Sequence, residues 1–329
     1  MARRDEVTAP AGAPLGRGAA VLAFDVGGTD TKSALVDASG RVLGLRRTPT
    51  PLEAADPAAS VVAGIARLAA AYRAEFPEVV PVTAGLSVPG LVDDDAGVGV
   101  FASNLGWRDA PIRDLAERAL GLPTAFGHDV RAAGEAEHRL GAARGHDDVL
   151  VLAIGTGIAA AAIVGGRPLT AGGYAGELGH ALSDPQGERC PCGAVGCLET
   201  IASAGAIARR YRTASGREVA GAREVLDAAR AGDELAATIW GQAVEALAEQ
   251  LARVVAILAP EVIVLGGGLA EAGPALFDPL AARLDRLLSF HRRPQLVKAA
   301  LGDDAGVLGT ALAARDLAGR IGSPEGSAP

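Results

Sequence analysis

The chain has 329 residues, of which 49% are hydrophobic and 21% charged, and its formal net charge at pH 7 is −8. This length exceeds what one hydrophobic core usually serves, so we expect a globular protein of two domains. The acidic balance disfavours binding to nucleic acid or to an anionic membrane surface. An aromatic content of 3% also argues against a stacking platform for single-stranded nucleic acid.

No apolar stretch approaches the length of about 20 residues that spans a bilayer, and residues 1–19 lack the apolar core of a secretory signal. We therefore predict a disordered leader over 1–19 and a disordered tail over 323–329. The three cysteines fall in one window, 190–197. An odd, clustered set indicates metal ligation in a reducing compartment and not a disulfide framework. We expect a cytoplasmic protein that binds neither nucleic acid nor membrane.

The first half of the chain alternates short apolar runs with helical patterns. A run at 21–26 ends in Gly27-Gly28-Thr29 and resumes at 33–36, which predicts two strands joined by a glycine turn. The elements that follow are predicted from apolar spacing and turn residues in the same way. They are a strand at 42–45, a helix at 54–76, a strand at 82–88, a helix at 112–120, a strand at 122–126 and a helix at 130–140.

The second half begins with the same pattern. A predicted strand at 149–154 breaks at Gly155-Thr156-Gly157 and restarts at 159–164, about 130 residues after the first such turn, which indicates a weak internal duplication. The remaining predicted elements are helices at 203–211, 224–231 and 234–258, a strand at 261–265 that ends in Gly266-Gly267-Gly268, and a helix at 310–318. The simplest architecture is α/β with two domains, 20–140 and 141–309, an active cleft between them, and the terminal segment 310–322 packed back on the first domain.

The glycine turn in Asp25-Val-Gly-Gly-Thr-Asp-Thr-Lys32 is the first motif that indicates chemistry. Two glycines after a strand let backbone N–H groups approach phosphate oxygens without a Cβ in the way. Thr29 adds a hydroxyl donor, and Asp25 is placed to hold Mg²⁺ directly or through water. A plain hairpin turn is the alternative interpretation. The further glycine turns at 155–157 and 266–268 favour instead three loops around one triphosphate.

One imidazole and three thiolates form the second motif. They are His180, Cys190, Cys192 and Cys197. Together they make a full tetrahedral set for Zn²⁺ that leaves no position for water, which is typical of a structural site. Gly193 and Gly196 permit the tight loop that such close thiolates need. The alternative interpretation is a group of reduced surface cysteines beside an unrelated histidine.

These motifs resemble those of a known superfamily. The stretch from Asp25 to Lys32 resembles the first phosphate loop of the actin–hexokinase–sugar kinase superfamily, 155–157 its second phosphate loop, and 266–268 its adenosine loop. The stretch Glu177-Leu-Gly-His180, with Cys190-Pro-Cys-Gly-Ala-Val-Gly-Cys197-Leu-Glu199, is similar to the signature of the ROK family (repressors, uncharacterised reading frames and kinases). The similarity runs from about Ala20 to Ala318. It implies a two-domain actin/hexokinase-like (ribonuclease H-like) fold with an inter-domain active cleft and a zinc loop at 180–197.

The resemblance also implies roles for individual residues. The expected sugar contacts are Gly90, Asn104, His128, Asp129, Glu177, His180 and Glu199. The expected nucleotide contacts are Asp25, Gly27, Gly28, Thr29, Lys32, Gly155, Thr156, Gly157, Gly266, Gly267 and Gly268. One ring nitrogen of His180 would bind zinc while the other faces the sugar.

Asp129 lies where a predicted strand ends and a predicted helix begins. From the residues alone, an aspartate that caps the helix is the favoured interpretation. Its match to the general base of the family assigns it instead to accepting the proton of the sugar hydroxyl that attacks the γ-phosphorus. The acidic runs at 93–95 and 303–304 are predicted to be solvated turns, and His138, His146 and His291 to be ordinary surface or core residues.

Three positions depart from the family pattern. Asp30 stands where many relatives carry Lys or Asn, although Lys32 is placed to compensate in part. His128 replaces an Asn that contacts sugar in relatives, and alanines at 159–161 replace glycines after the second glycine turn. These departures leave the identity of the sugar and of the phosphoryl donor open.

The predicted function is ATP-dependent phosphorylation of a hexose hydroxyl, with Mg²⁺ on the ATP and a structural Zn²⁺. Glucose, giving glucose 6-phosphate, is the favoured acceptor. The alternatives are N-acetylmannosamine, N-acetylglucosamine, fructose, mannose, an amino sugar or a cyclitol, with polyphosphate as an alternative donor. A sugar-responsive repressor would need a DNA-binding domain, for which the residues before Val21 are too few. A non-catalytic sugar sensor is a third hypothesis. The resemblance further suggests a homodimer or homotetramer.

Overall fold

The computed structural model describes residues 15–52 and 55–322, which divide into two compact units. The first unit contains 15–136, 170–174 and 303–322, and the second contains 137–169 and 175–302. The predicted tail at 323–329 and most of the predicted leader lie outside the described residues. Residues 15–19 of that leader are not disordered. They bond to the turn at 37–40 and to the side chain of Arg315.

The first two strands make a hairpin, and the described residues of 21–139 form eight strands and three helices in all. They are β1 (Val21–Val26), β2 (Asp30–Val36), β3 (Val42–Pro49), α1 (Pro57–Glu75), β4 (Thr83–Val88), β5 (Leu91–Asp93), β6 (Val98–Ala102), β7 (Trp107–Ala110), α2 (Ile112–Leu120), β8 (Thr124–His128) and α3 (Asp129–Arg139). The three-stranded sheet β5-β6-β7 was not predicted, because its strands are too short to show a clear alternation of apolar residues.

The rest of the chain supplies the second unit and the last helix. Its elements are β9 (Val149–Ile154), β10 (Ile158–Val164), β11 (Arg167–Pro168), α4 (Glu199–Ala202), α5 (Ala204–Ser215), α6 (Ala222–Arg230), α7 (Glu234–Leu258), β12 (Val262–Gly266), α8 (Pro274–Leu287), β13 (Gln295–Lys298) and α9 (Ala305–Gly322). Short 3₁₀ helices lie at Ala171–Gly173, Leu178–His180, Gly268–Ala272 and Gly302–Asp304.

The main sheet of the first unit has the strand order β3-β2-β1-β4-β8. Strand β1 pairs antiparallel with β2 and parallel with β4, and β4 pairs parallel with β8. Strand β1 is covered on both faces, because Leu22 and Phe24 pack in a cluster with α1, while Val21 and Ala23 pack in a cluster with α9. Burial on both faces explains why the strand is a continuous apolar run.

The second unit repeats this arrangement with the order β11-β10-β9-β12-β13. Strand β9 pairs antiparallel with β10 and parallel with β12, as β1 does with β2 and β4. Each unit therefore has a hairpin closed by a glycine turn and a parallel strand beside it, which agrees with the predicted internal duplication. Helix α7 supplies much of the core of this unit, through residues such as Leu247 and Leu251.

Candidate functional site

The first glycine turn, 27–29, is a tight β-hairpin held from behind by Thr50. The N–H of Gly27 donates to the carbonyl of Asp30 at 2.8 Å and closes the turn. The Thr50 hydroxyl donates to the Gly27 carbonyl at 2.8 Å, and the Thr50 N–H donates to the Thr29 carbonyl at 2.8 Å. Thr50, which follows β3, was not predicted to have a role, because nothing in the local sequence connects it with the turn.

Asn104 lies directly against this turn. A Cβ placed on Gly28 would be 2.8 Å from the Asn104 amide nitrogen, so the Asn104 side chain would have to shift if another residue replaced this glycine. A predicted sugar contact and a predicted phosphate-binding turn are thereby adjacent within one unit. Gly90 also has a backbone reason to be glycine, because its φ is +94° and a Cβ there would collide with the carbonyl of Phe101.

Asp25 ends strand β1 beneath the same turn. The Ser87 hydroxyl donates to Asp25 Oδ1 at 2.9 Å and lies 2.7 Å from the Thr310 hydroxyl. Burial raises the pKa of Asp25 to about 6, and the negative charge of Asp129 adds to that rise. Gly306, at the start of α9, packs so closely on the carboxylate that a Cβ would collide with it. The sequence indicated none of these supports of Asp25.

Lys32 is the cross-strand neighbour of Asp25 in the β1–β2 hairpin. Its ammonium lowers the pKa of Asp25 and donates to the carbonyl of Asp303. Arg47 pairs with the Asp303 carboxylate at 3.1 Å. The predicted solvated turn at 303–304 therefore receives two cationic side chains from the neighbouring strands.

Asp129 is the first residue of α3 and is 26% exposed. Its Oδ1 accepts a hydrogen bond from the N–H of Val130 at 2.6 Å and lies 3.3 Å from His128 Nδ1. A helix-capping carboxylate would instead bond an N–H two or three residues further on, so this contact does not follow the capping pattern. Burial raises the pKa of Asp129 to about 6, which places the change of charge close to physiological pH.

The prediction of a solvated turn at 93–95 is partly wrong. Asp94 is 27% exposed, and its carboxylate pairs with the guanidinium of Arg131, which is 8% exposed, at 2.6 Å. The pairing joins residues that are 37 positions apart in the sequence, so the charge run alone could not reveal it.

In the second unit, the glycine turns at 155–157 and 266–268 lie side by side. They follow the carboxyl ends of the parallel neighbours β9 and β12. Gly267 has a φ of +76°, and a Cβ there would be 2.5 Å from the carbonyl of Ile154. A Cβ on Gly155 or Gly268 would instead meet open space. These backbones are thus accessible on one side, as a phosphate or adenosine loop requires.

Glu199 is bound to the second glycine turn. Its Oε2 accepts a hydrogen bond from the Ile158 N–H at 2.8 Å, and a Cβ on Gly157 would lie 2.5 Å from that oxygen. The Ala204 N–H, at the start of α5, donates to the carbonyl of Gly155 at 2.9 Å. A predicted sugar contact therefore supports a predicted phosphate-binding turn in this unit as well.

His180 has one ring nitrogen towards the cysteines and the other towards Glu177. Nδ1 lies 3.7 Å from Cys190 Sγ, and Nε2 lies 3.8 Å from Glu177 Oε2. The two ring nitrogens therefore face different neighbours.

The four predicted metal ligands form one compact group. They are His180, Cys190, Cys192 and Cys197, and their ligand atoms all lie within 4.8 Å of one another. The Cys192 and Cys197 sulfurs are 3.7 Å apart, which fits the edge of about 3.8 Å in a tetrahedron with zinc–sulfur bonds of about 2.3 Å. The Ala194 N–H lowers the pKa of the Cys192 thiol, whereas burial raises the pKa of the Cys190 and Cys197 thiols. The donor set and its spacing fit Zn²⁺.

The loop that carries the cysteines is built from short backbone bonds. The Cys190 N–H donates to the Ala194 carbonyl at 2.8 Å. Gly193 and Gly196 have φ values of +99° and +76°, and a Cβ on Gly196 would collide with the Asp184 carbonyl. Both glycines are therefore needed for the backbone path, as predicted.

Within the residues that the structure describes, no helix is both long enough and apolar enough to cross a membrane.

Two hairpins with glycine turns, each beside a parallel strand, define a member of the actin/hexokinase-like superfamily. The model of the ROK family matches residues 21–317, and the chain belongs to the ROK family.

Named relatives and solved structures agree with this membership. A glucokinase of Thermotoga maritima is 34% identical over 88% of this chain and 96% of its own length. An N-acetylmannosamine kinase of Shigella flexneri is 33% identical over 90% of this chain and 98% of its own. The crystal structure of a ROK hexokinase from Thermus thermophilus has a TM-score of 0.80 at 37% identity and covers 92% of this chain and 100% of that one. A ROK family glucokinase from Streptomyces griseus in complex with glucose and AMPPNP has a TM-score of 0.74 at 31% identity, over 90% of this chain and 99% of that one.

Proposed function

We propose that this sugar kinase transfers the γ-phosphoryl group of ATP to a hexose hydroxyl, with glucose as the favoured acceptor. The contact of the Asn104 amide with Gly28 carries the proposal, because it joins a side chain expected to bind sugar to a turn expected to bind phosphate. Support from relatives is of two kinds, since both glucokinases and N-acetylmannosamine kinases are similar over nearly the whole chain.

Asp129 is the proposed general base. A base must be ionised to accept the proton of the attacking hydroxyl, and a pKa near the working pH makes that transfer most efficient. The pKa of Asp129, raised by burial to about 6, meets both conditions at neutral pH. The 26% exposure of its side chain leaves part of the residue open to solvent and hence to substrate.

The glycine turns are the proposed phosphate ligands. Backbone N–H groups in such turns stabilise the charge that develops on the transferring group. In the first unit these turns contain Gly27, Gly28 and Thr29, and in the second unit they are the turns at 155–157 and 266–268. Mg²⁺ carried with ATP supplies charge neutralisation on the triphosphate, and Asp25 is the residue placed to hold it.

The zinc set has a proposed positioning role. A metal on His180 Nδ1 would fix the imidazole, so that Nε2 and the neighbouring Glu177 stay oriented towards a sugar. Glu199, held by the Ile158 N–H, is the third proposed sugar contact in this unit. A complete set of protein ligands leaves no open position for substrate on the metal.

The acceptor is tested by a kinase assay across a sugar panel. The panel contains glucose, mannose, fructose, N-acetylglucosamine, N-acetylmannosamine, glucosamine and a cyclitol, each with ATP and with polyphosphate. Product release is measured with and without each sugar, on protein analysed for zinc. A highest kcat/KM on glucose with ATP supports the proposal, and a higher value on another acceptor replaces glucose. Sugar binding without turnover on any acceptor would mark a sensor instead. The homodimer or homotetramer stays a prediction, which light scattering tests.

A further inference from the structure

Arg131 is a buried cation close to the proposed base. It lies two residues after Asp129 in α3 and is 8% exposed. A buried guanidinium is costly unless its donors are satisfied. Its two terminal nitrogens donate to the Asp94 carboxylate at 2.6 Å, to the Val92 carbonyl at 3.3 Å and to the Gly173 carbonyl at 3.4 Å. Its partners therefore belong to two separate segments of the first unit. Among the described residues, its buried Nε has no hydrogen-bond partner.

The first partner segment is the rigid turn after β5. The Ala96 N–H bonds to the Asp93 carboxylate at 2.9 Å, and the Arg113 side chain of α2 donates to the carbonyls of residues 94–96 at 3.1–3.3 Å. The backbone of the turn that carries Asp94 is thus held by groups other than Arg131. The Asp94 carboxylate lies about 3.8 Å from where a Cβ on Gly127 would be, and hence beside β8, which ends at His128 immediately before Asp129.

The second partner segment, 170–174, leads directly to Glu177 and His180. Gly173 has a φ of +91°, and a Cβ there would collide with the Val92 carbonyl. At this close approach, the guanidinium of Arg131 donates to the Gly173 carbonyl and to the Val92 carbonyl. It therefore fixes the segment against β5 at the point where the chain leaves for the second unit.

The charges that face Asp129 come from several elements. Asp25 lies on β1, His128 on β8 with Nδ1 at 3.3 Å, and Arg131 on α3, where its charge is shared with Asp94. Burial and the carboxylate of Asp25 favour the neutral form of Asp129, whereas a nearby guanidinium favours the ionised form.

We infer that Arg131 is a positioning residue for phosphoryl transfer, which links the 93–97 turn to the 170–174 segment and keeps the proposed base ionised. The inference rests on the proposed function, because it assigns Arg131 a task only if Asp129 accepts the proton. The positive charge of Arg131 lowers the pKa of Asp129 against the effect of burial. The Asp94 carboxylate partly offsets that positive charge, so the Arg131–Asp94 pair determines how far the pKa of Asp129 falls.

The test compares pH profiles of kcat for two variants that break the same ion pair from opposite sides. Arg131→Met removes the cation, so the acid limb of the profile should shift to higher pH by about one unit. Asp94→Asn keeps an acceptor for Arg131 but removes the anion, so the acid limb should shift to lower pH. Arg131→Lys retains the charge and should leave the limb close to that of the wild type. Arg223→Met, which removes an exposed charge from α6, serves as the matched control for the change in net charge.

A purely structural role predicts a different result. Loss of packing would lower kcat in both pair variants and leave the acid limb where it is, and that outcome, or shifts in the same direction, overturns the inference. If Arg131→Met does not fold, the question is decided by Arg131→Lys, which should leave the limb unshifted, beside Asp94→Asn, which should move it to lower pH. Asp129→Asn separates the two proposals. Near-normal turnover in that variant would overturn the proposed base together with this inference, whereas an inactive Asp129→Asn beside unshifted limbs overturns the inference alone.

Discussion

Asp129 shows how burial sets the chemistry of a single carboxyl group. Replacing it with Asn keeps the shape and the bond from the Val130 N–H but removes the ability to accept a proton. We expect Asp129→Asn to lower sugar-dependent kcat by about 100-fold or more, while the sugar Kd from calorimetry changes little.

The pH dependence of the wild type follows from the same group. The base works in its ionised form, and burial raises its pKa to about 6. The value of kcat should therefore be constant above that pH and fall as the pH drops through about 6. A profile that stays flat down to pH 5 would contradict the assignment of Asp129.

The ionised form of Asp25 should lower the free energy of unfolding. Its pKa is raised from 3.8 to about 6, so the folded protein binds a proton more readily than the unfolded chain does. Folding is then penalised above pH 6, and the penalty fades as the pH falls from about 6 towards 4. Because part of the residue is reached by solvent, we expect Asp25→Asn to raise the free energy of unfolding at pH 7.5 by about 1–2 kcal/mol.

Urea unfolding at pH 7.5 and at pH 4.5 checks this expectation for Asp25. The gain should shrink at the lower pH, and the KM for MgATP should rise in the same variant. Asp278→Asn, at an exposed position in α8, controls for the change in net charge. A gain of equal size at both pH values would show that its origin is not the ionisation of Asp25.

At the scale of elements, the hairpin β1–β2 depends on the end of β3. Thr50→Val keeps the branched shape but removes the hydroxyl that bonds the Gly27 carbonyl and lies 3.0 Å from Thr31 Oγ1. One lost hydrogen bond corresponds to about 1 kcal/mol. We therefore expect the KM for ATP to rise about fivefold with little change in the KM for sugar.

Thr83→Val is the matched control for Thr50→Val. The Thr83 hydroxyl donates to the Ala314 carbonyl at 2.8 Å, in the same sheet but away from the glycine turn. The control should lose stability without any change in the KM for ATP. Equal kinetic effects in both variants would mean that Thr50 acts through general stability.

At the scale of the whole molecule, metal dependence can be tested at the predicted zinc loop, 180–197. Purified protein should contain equimolar zinc, because four ligand atoms within 4.8 Å form a closed set. Removal with a strong chelator should raise the KM for sugar about tenfold or more and lower the thermal unfolding midpoint. Added zinc should restore both. Chelated protein with unchanged sugar kinetics would refute a positioning role for the metal.

Local patterns in the sequence predicted much of this architecture. The hairpins at Gly27 and Gly155 and the grouping of His180 with the three cysteines were all predicted from residue spacing. Contacts between distant segments were not predicted from the sequence. The pairing of Asp94 with Arg131 and the contact of Asn104 with Gly28 depend on how the elements pack. Helix α8 was also missed, since Pro279 in its interior is typical of a helix break.

The last helix has a consequence for how the protein is made. Helix α9 packs on β1, and its residues Val307 and Ala311 share a buried cluster with Val21 and Ala23, near the opposite end of the chain. Residues 21–26 are synthesised before residues 305–322, so one face of the central strand β1 stays uncovered until α9 has left the ribosome. The first unit is thus begun before the second unit and completed after it.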